Sequence, residues 1–169
     1  NAIKQNKKIF IVINGSEKLE VSPYSICRSK EEFYLYLLCS RNDYPMTVKL
    51  NKITSVTTLE KVREFGRKDI LVFDKMIKYG PQFIYDPNDE PTVVKLTEGG
   101  IKRFKKFYVH RPIPDIIDKN VYTFNCSPDQ VFQYFIKFGK DAEIVSPYYL
   151  RERAMRFLSS ALKNYKHLK

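Results

Sequence analysis

The sequence predicts a mixed α+β chain, with a small five-stranded β-barrel followed by a module of alternating strands and helices. Three observations predict it. Short β-branched and aromatic runs, separated by polar turn clusters, fill residues 9 to 59. The stretch Asp86-Pro87-Asn88-Asp89-Glu90-Pro91 has the composition of a loop. Beyond it, apolar residues recur at strand spacing in some segments and at helical spacing in others. The resulting division is a barrel over 1–61, a connector with a short helix over 62–91, and a C-terminal α+β module over 92–169.

In the first part, Ala2 to Lys8 reads as the end of a helix. Ile9 to Ile13 is continuously apolar, so a strand buried on both faces is expected there. Asn14-Gly15 is a hairpin turn signal. Strands follow at Lys18 to Ile26, Phe33 to Cys39 and Met46 to Leu50, with a fifth over Ile53 to Leu59. The segment from Arg28 to Glu32 is a polar break, and Arg41-Asn42-Asp43 is a turn cluster. Side chains alternate along a strand. Phe33, Leu35 and Leu37 therefore share one face, and Tyr34 and Tyr36 the other; Lys49 and Asn51 point away from Val48 and Leu50. Five short antiparallel strands are expected to close on themselves.

Val72, Phe73, Met76 and Ile77 recur at helical spacing, and Gly80-Pro81 stops that pattern. In the last part, Thr92 to Leu96 is a strand, and Ile101, Phe104 and Phe107 line one helical face. Two prolines between Val109 and Ile117 restrict that segment to a sheet edge. Val121 to Cys126 is a cleaner strand. Ser127-Pro128-Asp129-Gln130 has the form of a capping box with proline in the first turn. Val131, Phe135 and Phe138 form its buried face, and Gly139 ends it. A strand over Ala142 to Val145 precedes a final helix opened by Ser146-Pro147. Its apolar face is Leu150, Ala154, Phe157, Leu158, Ala161 and Tyr165. The order βαββαβ with an added helix predicts a ferredoxin-like sandwich.

Composition narrows the function. The chain of 169 residues carries a formal net charge of +11. Both terminal parts are basic and the connector is slightly acidic, which favours anionic partners, nucleic acid first. No apolar run reaches the roughly 20 residues that span a bilayer, so no membrane partner is expected. The chain opens without Met or an apolar leader and reads as part of a longer protein. Cys27, Cys39 and Cys126 are odd in number and lie in apolar runs, as buried free thiols of a reducing cytoplasm do. Enzymatic activity is not expected. His110 and His167 are the two imidazoles, no paired carboxylates stand out, and neither HExxH, CxxC nor GxSxG occurs. Gly99-Gly100 precedes a helix without the remainder of a phosphate loop. No catalytic residue, metal ligand or cofactor is assigned.

One resemblance draws these features together. The strand Ile9 to Ile13, then Ser22-Pro23, Phe33-Tyr34-Leu35 and Val48-Lys49-Leu50-Asn51-Lys52-Ile53, resembles the WYL domain, named for a Trp-Tyr-Leu tripeptide. The block from Phe138 to Glu152, with Ser146-Pro147 and Leu150-Arg151-Glu152, is similar to the C-terminal extension that follows WYL domains in bacterial winged-helix transcription regulators. The resemblance implies an Sm-like, SH3-type barrel that binds a nucleotide or nucleic acid ligand and controls a DNA-binding domain which this chain lacks. It also implies a cytoplasmic protein, with a homodimer as the working assembly. Carried over position by position, its ligand residues are Lys49, Lys52 and Tyr34, and Ser22, Tyr24, Arg28 and Arg41 stand near enough in sequence to complete a site. Met46 and Ile13 replace an arginine and a tyrosine common in the family. Lysine at 49 and 52 keeps the charge without arginine's bidentate fork. Arg151, Arg153 and Arg156 form a second basic surface on the final helix. Two other readings stand beside this one: a dimerisation or interaction module without a specific ligand, and an RNA-binding accessory protein.

Overall fold

Asn14 and Gly15 set the first hairpin. Both take positive φ, 50° and 76°, as the central pair of a tight turn closed by Ser16 N on the Ile13 carbonyl at 3.2 Å, with Ser16 the third residue of the connection. The turn joins β1 (Lys7–Ile13) to β2 (Glu17–Arg28) with Ile13 opposite Glu17. Asn42 and Asp43, at φ 51° and 61°, repeat the device between β3 (Leu35–Arg41) and β4 (Tyr44–Lys49). A 3-10 turn, Leu50–Lys52, then leads into β5 (Ile53–Val62), and α1 spans Arg67–Tyr79. The computed structural model describes residues 1–29 and 33–166. It divides into two compact units, Asn1–Pro87 and Asn88–Lys169.

The five strands of the first unit form one antiparallel sheet in the order β4-β3-β2-β1-β5. Among the described residues β4 and β5 are its two edges, and no ladder between them closes a barrel. The core on one face joins Ile9, Ile11, Leu19, Val21, Leu37, Cys39 and Val48. Expectations for β1 need correction. Ile9 and Ile11 are buried while Phe10 and Val12 are half-exposed, so one face is buried, not two. Residues 2–6 are turns rather than a helix end; Asn6 is left-handed at φ 55° and breaks any continuation. β3 behaves in the opposite way. Tyr36 to Ser40 are buried without interruption, because α1 covers the second face. Helix α1 packs beside β4, and its Phe73 stacks on Tyr24 of β2. Gly80, at φ 135°, ends the helix as its position in the sequence predicts.

The second unit holds β6 (Thr92–Leu96), α2 (Glu98–Lys106), β7 (Ile116–Asp118), β8 (Val121–Phe124), α3 (Pro128–Phe135), a 3-10 turn (Ile136–Asp141), β9 (Ala142–Ser146) and α4 (Tyr148–Lys166). Its sheet runs β7-β8-β6-β9, antiparallel throughout. As the prolines require, β7 is an edge. The core is aromatic: Phe104 stacks on Phe135 at 5.7 Å and meets Tyr122, Phe124 and Tyr134 edge-on. The expected capping box is not formed. Ser127 is buried and makes no cap hydrogen bond, while the Gln130 amide donates to the His110 carbonyl. Thr97 caps α2 instead: its Oγ1 accepts from Gly100 N at 3.1 Å and donates to Asp141 Oδ1 at 2.7 Å. The Gly99-Gly100 pair serves this packing, since a Cβ at Gly100 would overlap the Asp141 carbonyl oxygen. In α4 only Leu150 and Ala154 of the expected apolar face are buried; Phe157, Leu158 and Tyr165 are exposed. No helix among the described residues is long and apolar enough to cross a membrane.

Two outcomes are expected. Gly100→Ala should destabilise the second unit by about 2 kcal/mol or more, because the obstruction is backbone; thermal unfolding measures it. Cys39 and Cys126 are buried and Cys27 is partly exposed, and burial pushes the Cys39 thiol up to about 12. At pH 8 a thiol reagent should therefore modify Cys27 first and reach Cys39 only after unfolding. Above about pH 9 the unfolded chain loses the Cys39 proton while the folded chain keeps it. Stability should fall from that pH upward, and Cys39→Val should flatten the slope.

Candidate ligand-binding surface

The two-residue turn at Asn42-Asp43 fixes the register of β3 on β4 and so sets Lys49 opposite Tyr36. Cys27 of β2 completes that cross-strand row. The Lys49 ammonium lies 4.2 Å from the Tyr34 ring centroid and 5.6 Å from that of Tyr36. Tyr36 is buried and forms the floor, whereas Tyr34 is 44% exposed. One row along, Arg28 pairs with Leu35, and its guanidinium sits 5.3 Å from the Phe33 ring centroid. Phe33 has φ 58°, an uncommon backbone for a bulky residue, and its ring is 72% exposed. Backbone pairing of Ser29 N with the Tyr34 carbonyl at 2.9 Å closes this end of the hairpin. Residues 30–32, part of the polar break read from the sequence, lie outside the described residues. Neighbouring rows point to opposite faces of a sheet, so the two contacts are separate: Lys49 lies with Tyr34 and Tyr36 on one face, and Arg28 lies with exposed Leu35 and Ile26 on the other. Cation–π contact holds such cations without neutralising them. The exposed Tyr34 and Phe33 rings present faces on which a base can stack.

The other expected site residues lie elsewhere. Lys52 follows Lys49 in the 3-10 turn; its side chain is exposed and its carbonyl accepts from Asn14 N at 2.9 Å. Tyr24 is a packing residue, stacked on Phe73 at 4.5 Å and edge-on to Phe65 at 5.4 Å. Ser22 and Arg41 sit toward the opposite end of the hairpin, about 17 Å along β3 from Tyr36 at the rise of an extended chain. There they line a depression shared with Lys8, Glu20, Asp43 and Glu64. Ser22 Oγ accepts from Glu64 N at 3.2 Å, and Lys8 stands 3.9 Å from both Glu20 and Glu64. Carboxylates and cations are interleaved around that depression. Of the seven positions expected in the first unit, the structure brings together Lys49 and Tyr34, while Arg28 lies in the neighbouring row with Leu35 and Phe33. It adds Tyr36 and Phe33, which the sequence assigned only to strand faces.

The second basic surface divides. Residues two apart on a helix point about 200° from each other. Arg151 accordingly pairs with Glu143 at 2.8 Å on one flank of α4, and Arg153 with Asp129 at 2.7 Å on the other. The Arg153 guanidinium also covers Phe132 at 4.0 Å. Arg156 is exposed on the outer side. Near the start of the helix, partial burial and the charges of Asp89 and Glu90 raise the Tyr149 hydroxyl pKa, against Arg153, which lowers it. Acidic residues thus flank the arginines. Among the described residues no group of three or more His, Cys, Asp or Glu side chains could hold a metal ion.

Fold and surface together define a two-unit mixed α/β chain with two antiparallel sheets, four helices and a cation–aromatic patch on the first unit. The chain is similar in fold to a crystal structure described as a CRISPR Cas-related protein, with a TM-score of 0.70 and 23% sequence identity over 99% of this chain and 51% of that one. It thus spans about half the length of that protein. Proteasome accessory factor B/C (PafBC) of Arthrobacter aurescens aligns over 97% of this chain and 26% of its own, at 13% identity and a TM-score of 0.38, too low to equate the folds. No family model matches the chain, and no curated protein matches it in sequence.

Packing and surface roles separate by mutation. Tyr24→Ala should cost the first unit about 3 kcal/mol through the lost Phe73 and Phe65 contacts. Tyr34→Ala should cost less than about 1 kcal/mol. Denaturant unfolding distinguishes them, and equal losses would place Tyr34 in the core.

Proposed function

We propose that this chain is the ligand-sensing part of a bacterial transcription regulator, and that its first unit binds a nucleotide-type or nucleic acid anion. The observation that carries the proposal is the contact of Lys49 with the Tyr34 and Tyr36 rings, Tyr34 being exposed. Phosphate oxygens would meet Lys49, and a base would stack on the exposed Tyr34 ring. The sheet order and the 3-10 turn before β5 support an Sm-like barrel of the WYL type. The order β7-β8-β6-β9 supports a ferredoxin-like extension. Such a part works by differential affinity for two arrangements rather than by catalysis. In this reading the protein is a cytoplasmic homodimer, and DNA is contacted by another domain. The bare apolar face on the last turns of α4 favours a second reading, in which the chain serves interaction without a specific ligand.

The test is fluorescence anisotropy with labelled single-stranded DNA, single-stranded RNA and duplex DNA at about 50 and 200 mM salt, with unlabelled cyclic dinucleotides as competitors. Saturable binding that prefers one probe at the higher salt is expected. Lys49→Ala and Tyr34→Ala should each weaken it about 10-fold. Unchanged affinity in the double variant would remove the patch from consideration. Binding that vanishes with salt for every probe would favour the interaction reading.

A further inference from the structure

The second unit contains a cavity of about 150 Å³ that none of the foregoing uses. Phe135 from α3, Ile144 from β9, and Ala154 and Leu158 from α4 give it apolar walls, and Met155 borders it. An apolar hole of about this size takes one benzene-sized group. Its polar lining is one ion pair, Arg151 to Glu143 at 2.8 Å, with side chains 41% and 52% exposed. The pair therefore stands where the cavity meets solvent. Exposed ion pairs contribute little to stability, so this one can reorganise at small cost. The contact to Glu143 uses Nη1 of a guanidinium that carries five N–H donors in a planar fork.

From this geometry we infer that the cavity is a binding site for a free α-amino acid with a branched or aromatic apolar side chain. The side chain enters the apolar pocket, the carboxylate meets Arg151, and the ammonium meets Glu143. A ligand with only a carboxylate would draw Arg151 away and leave Glu143 beside a second negative charge. A ligand with only an ammonium would do the reverse. A zwitterion satisfies both halves of the pair. The site belongs to the second unit alone and does not depend on the Lys49 surface.

The chain has three methionines, Met46, Met76 and Met155. Met155 borders the cavity, while Met46 and Met76 lie in the first unit. Methyl-labelled methionine therefore gives one reporter and two internal controls in the intact chain. L-leucine should shift the Met155 methyl signal saturably, with a Kd on the order of 1 mM or tighter, and leave the other two in place. 4-Methylpentanoate and 3-methylbutylamine, which lack the ammonium and the carboxylate, should bind at least about 5-fold more weakly. Arg151→Gln should weaken leucine by a similar factor with Met46 and Met76 signals unmoved, and Lys49→Ala should leave leucine binding unchanged. A Met155 signal that stays still at about 50 mM leucine or phenylalanine, in a natively dispersed spectrum, would overturn the site. Single-charge analogues that match leucine, or an Arg151→Gln chain that binds it equally, would overturn the zwitterion assignment.

Discussion

Strand β3 is the constraint on which the first unit depends. Five consecutive residues, Tyr36 to Ser40, are withdrawn from solvent, an arrangement that an antiparallel sheet with one wet face does not produce. Leu37 and Cys39 join the core between the strands. Tyr36 and Leu38 face the other way and stay dry because α1 lies over that side of the sheet, held by Phe73 on Tyr24. The helix is thus not a tether between modules but a second layer of the first one. It ends the dry region short of Lys49, whose ammonium rests at the margin on Tyr34 and Tyr36. Burial of β3 and exposure of the cation–ring patch follow from the same placement.

Charge is organised in a way that a total does not reveal. Much of the basic excess is engaged with carboxylates: Lys7 with Glu60, Lys61 with Glu20, Arg151 with Glu143 and Arg153 with Asp129. These pairs lie across neighbouring strands or between packed elements and align them. Lys49 and Arg28 also rest on rings.

Much of this was legible in the residues. Asn14-Gly15 and Arg41-Asn42-Asp43 announced the two tight turns. Gly80 announced the end of α1, and the order of apolar periods in the second unit announced β6 to α4. The Lys49–Tyr36 pairing was legible as well: counting five residues outward from each side of the second turn sets them opposite each other. Spacing alone does not show what lies above a sheet. Tyr24 could be a packed or a surface ring by sequence, and only the return of the chain over 65–73 set Phe65 and Phe73 against it and left it partly buried. Nor could Ser127 be known to spend its burial on packing rather than on a cap. The arginines of α4 looked like one face by proximity in sequence, yet helical geometry divides them. The apolar stripe of α4 was periodic over its whole length, but the module beneath it covers only the first turns, and periodicity carries no information about where a neighbour ends.

Strand β5 has a consequence of another kind. Its ten residues pair with β1 on one side, and among the described residues nothing pairs with the other. Val56 and Val62 are exposed along it. A long edge of that sort is a template for any extended chain that meets it. Here the strand is made sparing of apolar surface, with Thr54, Ser55, Thr57 and Thr58 in its first half and Glu60 and Lys61 near its end. Hydroxyls and charges of this type keep an edge wet and discourage stacking. The strand thus combines a geometry that invites growth by addition of further strands with a chemistry that limits it. Colloidal behaviour at high concentration should be governed by this edge more than by the net charge of the molecule.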